Sequence, residues 1–533
     1  MSTSVDRPAA DRVIVVGASL SGLFAAAAAA AAGRPVTLLE RDELPDAAAP
    51  RRGVPQGRQN HVLLHRGLLA AEELVPGLEQ ALEEAGAVRL DTGRLPWYGP
   101  YGWQPTSVPS YDVLSATRPL LEQLVRERVL AQPRVELRQG VRVSGLRPRP
   151  GGWLVECADA ESLPAALVVD ASGRNSRIPV WLAALGCTVE EPEVLDAHLG
   201  YACQLYRPVG TPPPGVVVSA TPEHPRSALG LAVEDGLWLV GAAGYGRHRP
   251  SRDGDFRAFL SELRELVLAE LTSAMEPVGD VAVHRQTANR RHRYGAARDW
   301  PDGLLVVGDA LCAFNPIYGQ GITVGALQAL VLRDALRRDR PLPTRTLQQR
   351  LSSVADLPWS VATTEDVRYL PGARPTPVQR MLTAWTTELA QLAMEGHRRA
   401  LSTFGGVYHL MASPALLVHP ALVAAVLRRR LTRRWAPPAR PRDRPALVGS
   451  AARLGRVRCP ACPPRPRTCH PGNAAPGRSA GSLRRDSGSR PAAHRTRSPR
   501  RAEDRRARCR GCAGPRVATA PRSASGAAHR SAP

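Results

Sequence analysis

The chain of 533 residues contains no lysine, so each of its 71 side-chain cations other than histidine is an arginine. With the matching excess of Ala and Pro, this points to a very GC-rich gene. Also missing is an N-terminal basic region followed by an apolar core and a cleavage site, and no apolar run reaches the length that spans a bilayer. The expectation is a soluble cytoplasmic protein. Four cysteines before the C-terminal stretch (Cys157, Cys187, Cys203, Cys312) lack the spacing of a disulfide framework, so reduced thiols are expected.

The formal net charge of +23 would suggest nucleic acid or an anionic membrane as partner, but its location removes that reading. From Ala436 onward the chain carries 23 Arg against four acids, and the preceding 435 residues stand near balance at +4. No specific nucleic-acid partner is expected. Residues 436–533 have few large apolar side chains and no periodicity, so they cannot bury enough surface to offset their chain entropy and should be disordered. Translation in a shifted frame of a GC-rich gene would produce the same composition. Cys459-x-x-Cys462 with Cys469-His470, and Cys509-x-x-Cys512, have the spacing of zinc pairs but no strand or helix to carry them; no metal is expected.

Residues 12–42 organise the rest. Arg12-Val-Ile-Val-Val-Gly17 reads as a short buried strand, Gly17-Ala-Ser19-Leu-Ser-Gly22 turns it into a helix over 20–32, and a second strand over 36–39 ends in Glu40. This order of strand, glycine turn, helix, strand and acid holds an ADP moiety: Gly17 makes the turn, Ser19 stands where the backbone must approach a pyrophosphate, and Gly22 packs helix on strand. The pyrophosphate sits at the helix N-terminus, and Glu40 accepts from the ribose hydroxyls.

Two further turns repeat the theme. A strand over 166–170 ends in Asp170, followed by Ala-Ser-Gly173-Arg174-Asn-Ser-Arg177. A strand over 302–307 delivers Gly308-Asp309-Ala310, then Asn315-Pro316-Ile-Tyr-Gly319-Gln320-Gly321 opens a helix reaching about Arg338, again an anion-binding arrangement. Arg118 and Pro119 start a helix that runs to Leu130. Between 199 and 243, short alternating strands with Pro and Gly turns read as a separate antiparallel layer, followed by one helix over 255–271. One amphipathic helix is expected over 62–82, and an Arg, Gln and His-rich loop over 50–61 is a candidate lining of the nucleotide site. The aromatic stretch 90–111 either covers an apolar ligand or is a packed excursion. Helical periodicity over 381–411 and 420–430 ends in an Arg run that could cap a helix or touch anionic lipid.

Taken together, the Gly17 fingerprint with Glu40, the Asp170 turn and the Gly308-Asp309 turn resemble the single-component FAD-dependent monooxygenases of the aromatic hydroxylase and squalene epoxidase superfamily. The resemblance covers residues 12 to about 427. More narrowly, Arg52-Gly-Val-Pro-Gln-Gly-Arg58 and Phe314-Asn-Pro-Ile-Tyr-Gly-Gln-Gly321 look like actinobacterial epoxidases of polyketide or terpenoid olefins, with a departure at Asn60-His61.

This resemblance implies an α/β fold in which a FAD-binding Rossmann-like domain of the glutathione-reductase type carries an inserted antiparallel β-sheet substrate domain. The implied division is 11–178 (with an excursion over 45–112) and 286–340 for FAD, 179–285 for substrate, 341–435 for C-terminal helices and 436–533 for the tail. It implies FAD at Gly17, Ser19, Gly22, Glu40, Arg41, Arg118, Val141 (through its backbone), Asp170, Asp309, Pro316, Gly319, Gln320 and Gly321. NADPH or NADH would be the reductant, visiting without a domain of its own, with Arg174 and Arg177 as its candidate contacts.

The implied reaction places one oxygen atom from O2 into an apolar secondary metabolite through a flavin C4a-hydroperoxide, with olefin epoxidation foremost. Phenol hydroxylation, or reduction of polyprenyl double bonds on the same fold, stand as alternatives. Arg58 and His61 are the candidate polar groups beside the flavin. A flavin halogenase would need a catalytic lysine, which this chain does not have.

Overall fold

The computed structural model describes residues 11–433, apart from 107, 109, 253 and 374, together with 443–445 and 447. The disorder and the zinc-like pairs expected beyond residue 436 therefore lie, but for those last four residues, outside the described residues. Arg444 pairs with Glu265 and Glu270, and Leu447 packs beside the core under the large antiparallel sheet.

Apolar runs make the central sheet. Val13–Val16, Val36–Leu39, Leu167–Asp170 and Leu304–Val306 are short, nearly all apolar and almost wholly buried, as strands covered on both faces must be. They pair in parallel, with Val135–Arg138 at one edge, giving the spatial order 304–306, 167–170, 13–16, 36–39, 135–138. Parallel pairing brings all carboxyl ends to one edge. Gly17, Glu40, Ala171 and Asp309 therefore meet there although they are far apart in the chain, and ligands of open α/β sheets bind at such an edge.

The helix Leu20–Ala31 is almost entirely alanine after Phe24 and packs in the core against the helix Gly321–Leu336. Gly22 allows the turn beneath it to close: a Cβ there would stand 1.8 Å from the Gly17 carbonyl oxygen.

A seven-stranded sheet forms the second layer, in the order 276–284, 199–207, 238–245, 226–232, 215–218, 97–99, 102–103. Alternation sorts its faces. Ala202, Tyr206, Ala228, Trp238, Val240 and Ala242 turn toward the helices Phe256–Ser261 and Val267–Ser273, while Leu199, Tyr201, Cys203, Leu239, Ala243 and Tyr245 turn the other way. The antiparallel layer read from the sequence is present, and the aromatic stretch 90–111 contributes its last two strands.

Three stretches expected to be helical throughout are broken. The stretch 62–82 forms His65–Leu74 and Leu78–Glu84, because Pro76 has no N–H to donate and Gly77 takes φ +79°. Glu72 then receives the N–H groups of Gly77 (2.7 Å) and Glu79 (2.8 Å) at the start of the second helix. The helix expected over 255–271 breaks at 262–266, where Arg264 lies over the Tyr98 ring and donates to the carbonyl of Gly99 at 2.6 Å. The period over 381–411 likewise resolves into Pro377–Met394 and Arg398–Tyr408, with Gly396 at φ +90° between them.

His409 joins the C-terminal helices to the rest. Its Nδ1 accepts the His65 N–H at 3.2 Å, and its Nε2 lies 3.0 Å from Thr92 Oγ1, whose own proton goes to the Tyr111 carbonyl. Both contacts suit a neutral ring protonated at Nε2. Burial, and then the nearby His65, push its pKa down from 6.5 to about 4. Between those values the unfolded chain binds a proton that the folded chain refuses, so stability present above pH 6.5 is lost as pH falls toward 4. The expected contribution is on the order of 3 kcal/mol across that window. His409→Gln, which offers an acceptor and does not titrate, should flatten the fall of Tm between pH 7 and 5 relative to the parent chain; equal slopes would remove His409 as the cause.

Candidate functional site

At the carboxyl edge of the parallel sheet lies a cavity of about 400 Å³. Its lining includes Gly17, Ser19, Glu40, Arg41, Arg118 and Val141 from the first turn and its surroundings, and Asp309, Pro316, Gly319, Gln320 and Gly321 from the third. The two glycine turns, some 300 residues apart in the chain, thus face one space. Of the residues expected at a nucleotide, only Gly22 and Asp170 are outside this lining. Gly22 packs beneath the turn, and Asp170 is fully buried, accepting from Ser176 Oγ at 2.6 Å and bracing the turn that carries Ala171.

The first turn is strained in a way only glycine tolerates. Gly17 has φ +100°, and a Cβ there would lie 2.7 Å from the Ala171 carbonyl oxygen. No side chain caps the helix Leu20–Ala31, because the Ser19 hydroxyl turns to Arg118 Nη2 (2.8 Å) and Glu122 (3.2 Å). The first-turn N–H groups, with Leu20 and Ser21 on the cavity wall, are left facing an acceptor from outside the helix. The helix Gly321–Leu336 likewise has no side-chain cap.

Beside this turn sits a buried cluster of charges. Glu40 accepts the Ala18 N–H at 2.9 Å and the Asp42 N–H at 3.0 Å. Arg51 lies 3.2 Å from Glu40, 3.0 Å from Asp42 and 2.8 Å from Glu122, and Glu122 also holds Arg118 at 2.9 Å. Burial alone would push the Glu122 carboxyl up, but Arg118 and then Arg51 hold it below its ordinary value. Arg51 Nη2 is buried without a protein partner, as is Gln320 Oε1 at the other end of the cavity.

The polar candidates divide. His61 lines the cavity, its Nδ1 placed 2.9 Å from the Gln59 carbonyl, so that Nδ1–H donates and Nε2 is left as an acceptor. Burial, then the Arg118 charge, push it down to about 3, so it is neutral at any ordinary pH. Arg58 is exposed and does not line the cavity. Arg174 lines it but is already committed, donating to the carbonyls of Ala288 at 2.6 Å and Phe314 at 2.7 Å, with Asp309 at 4.0 Å. Arg177 is exposed at the cavity. Burial raises the Asp309 carboxyl while Arg174 and Arg118 pull it back.

No family model matches the chain. Protein Rv3254 of Mycobacterium tuberculosis is 34% identical to it over 349 residues, which are 61% of this chain and 73% of that protein. The chain belongs to the Rv3254 family.

Among solved structures, this Rv3254-family chain resembles a triple mutant of the flavin-dependent brominase Bmp2 at TM-score 0.55 and 12% identity, covering 79% of this chain and 99% of that one. It also resembles p-nitrophenol 4-monooxygenase PnpA from Pseudomonas putida DLL-E4 at TM-score 0.52 and 16% identity, over 75% and 98% of the two chains. A flavoprotein/dehydrogenase from Cytophaga hutchinsonii gives TM-score 0.52 and 14% identity, over 75% and 98%. At these identities what is shared is the fold, a mixed α/β architecture with several sheets.

Sequence reasoning passed over Arg51, Glu122 and His284 in the Rv3254-family chain. His284 lines the cavity, and burial keeps its ring below the ordinary value. The i,i+4 spacing of Arg118 and Glu122 was a signal that could have found the second of these. Among the described residues no group of His, Cys, Asp and Glu could hold a metal ion, and no helix is long and apolar enough to cross a membrane.

Proposed function

We propose that this chain is a FAD-dependent monooxygenase that takes reducing equivalents from NADPH or NADH and places one atom of O2 in an apolar small molecule. The observation that carries this reading is the single cavity joining the Gly17 turn to the Pro316–Gly321 loop. An extended dinucleotide has to touch both, and the unpartnered Arg51 Nη2 and Gln320 Oε1 fit one that brings an acceptor to the first and a donor to the second.

The uncapped start of the helix Leu20–Ala31 and Arg118 would hold the pyrophosphate, and Glu40 and Val141 the adenosine end. Asp309 would accept from the ribityl chain. Residues 11–178 and 286–340 would then make a Rossmann-like FAD domain of the glutathione-reductase type, with the excursion over 45–112 lending strands 97–99 and 102–103 to the inserted substrate sheet of 179–285, and the C-terminal helices would follow from 341. When bound, FAD supplies the electron transfer to O2 that no side chain here can. The chain itself would orient the cofactor and stabilise charge: the N–H groups at the start of the helix Gly321–Leu336 would favour a negative pyrimidine edge, and the seven-stranded sheet, which gives His284 to the lining, would wall one side of the chamber.

Olefin epoxidation of a polyketide or terpenoid suits the polar groups best. Hydroxylating a phenol gains from a base titrating near the working pH, whereas burial pushes His61 down to about 3 and holds His284 below its ordinary value, and Arg58 is outside the cavity. Aromatic hydroxylation is the second reading, supported by the likeness to PnpA. The brominase likeness extends to fold alone, since the chain contains no lysine. Exposed Leu427 and Leu431 beside Arg428 and Arg430 on the helix Pro420–Arg433 support a weak contact with anionic lipid.

The test is incubation of the purified chain with NADPH, O2 and a panel of olefinic polyketides, terpenes and phenols. The expected result is a product heavier by one oxygen atom, with O2 consumed in step with it. Saturated product without O2 uptake would replace this reading with a reductase, and no NAD(P)H oxidation by yellow protein would replace it with a non-catalytic flavin binder.

A further inference from the structure

The loop that closes the cavity, Asn315 to Gly319, is held from behind by one acid. Asp366 is the last residue of the helix Asp356–Asp366, is 1% exposed, and accepts from Asn289 Nδ2 at 2.6 Å, Asn315 Nδ2 at 2.9 Å and Tyr318 OH at 2.7 Å. An anion at a helix C-terminus opposes the dipole, and burial opposes it further. Helix stability therefore does not explain why an acid stands there.

Each of its partners acts on the loop. Asn315 presents its Oδ1 to the Ile317 N–H (3.2 Å) and to Tyr201 OH from the seven-stranded sheet (3.2 Å). Asn289 Oδ1 accepts the Asn315 N–H at 2.8 Å. Just beyond Asp366, Tyr369 stacks on Tyr245 of the same sheet with ring centroids 3.7 Å apart and planes within 4°. Gly319 then takes φ +65°, and Pro316 and Gly319 face the cavity.

We infer that Asp366 is a positioning residue: by orienting Asn315 and Tyr318 at once, it fixes the turn whose Pro316 and Gly319 form the cavity wall, and so fixes where a bound flavin ring would rest. The second half of this inference stands on the proposed function; the first half does not. An acceptor-only carboxylate can serve three donors, whereas an amide at the same place must turn an NH2 group toward one of them. Losing a hydrogen bond to a charged group weakens the equilibrium it supports by about tenfold or more.

The test compares Asp366→Asn and Tyr318→Phe with the parent in the full chain. In protein without added FAD, amide hydrogen exchange at Ile317 and Gly319 should quicken by about tenfold in Asp366→Asn and by less in Tyr318→Phe. With FAD added, both variants should bind it more weakly, show an altered visible flavin spectrum, and release a larger share of the consumed O2 as hydrogen peroxide. Unchanged exchange at 317–319 in folded variants would overturn the positioning role. Faster exchange with parental flavin affinity and spectrum would overturn the claim that the turn sets the ring's place. Should Asp366→Asn not fold, Tyr318→Phe decides by the same readouts. A parent chain that binds no FAD would sink the proposed function separately, leaving the exchange result to judge the turn.

Discussion

Asp309→Ala should purify as largely colourless protein of nearly parental stability. Asp309 follows the strand Leu304–Val306 at the carboxyl edge of the parallel sheet, in a tight turn where Gly308 has φ +61° and its N–H is held by Gln328 Oε1 at 2.8 Å. That turn is fixed by backbone and by Gln328, without the Asp309 side chain. The carboxylate is 33% exposed to the cavity and makes no closer charge contact than Arg174 at 4.0 Å. Arg174 keeps its two carbonyl acceptors when Asp309 is removed, so no buried charge is stranded.

What disappears is an acceptor aimed at the ligand, worth about 1.5–3 kcal/mol when charged, or roughly ten- to a hundredfold in FAD affinity. Asp309→Asn keeps one acceptor oxygen and should fall between. Visible absorbance per protein and Tm of FAD-free protein check both halves. Stoichiometric yellow Asp309→Ala would remove Asp309 from the cofactor site, and a large fall in Tm would make it a structural residue.

Four runs of the parallel sheet, 13–16, 36–39, 167–170 and 304–306, could be read because they are short, mostly apolar and followed closely by glycine or an acid, a pattern that depends on a few neighbouring residues; the strand Val135–Arg138, at one edge, alternates instead. The helix Arg118–Leu130 was equally plain from Pro119 in its first turn, although its cap is Thr117, one residue before the Arg118 read as its entry. Where a breaker competed with a period, the period was overvalued: Pro76-Gly77 divides an amphipathic stretch whose apolar spacing continues across it.

Arg51 and Asp366 were missed for another reason. Arg51 meets Glu122 across 71 residues, and Asp366 meets Asn315 across 51. Nothing local separates Arg51 from Arg52 or Arg58 in a loop without periodicity. Which arginine turns inward is decided by the carboxylates waiting there, and those are brought together only by the fold. The site's glycines were legible because each stands at a turn; the side chains that hold those turns in place were not.

Arg51→Leu should be the most damaging single change in the described charge clusters. The guanidinium is 7% exposed and stands among Glu40, Asp42 and Glu122. Leucine fills much of the space but leaves the three carboxylates without that cation, with Arg118 still reaching only Glu122 among them. Removing one partner of a buried ion pair costs about 3–5 kcal/mol, because the remaining charge cannot regain water.

The pH dependence identifies the cause. In the parent, the stability that Glu122 draws from its lowered pKa is present above its ordinary value of 4.5 and is lost as pH falls through the folded value. In the variant Glu122 keeps Arg118 but loses Arg51, so its carboxyl rises relative to the parent, the folded chain takes up a proton more readily and the deficit narrows toward acid, from pH 7 to pH 5. Arg58→Leu, exposed in the same loop, should stay within about 0.5 kcal/mol of the parent at either pH. Denaturant titrations at the two pH values measure all three chains. An Arg51→Leu deficit below about 1 kcal/mol, or one that widens toward acid, would mean that the loop re-forms around other cations. The Glu40 carboxylate would then not depend on Arg51 for its place beside the Gly17 turn.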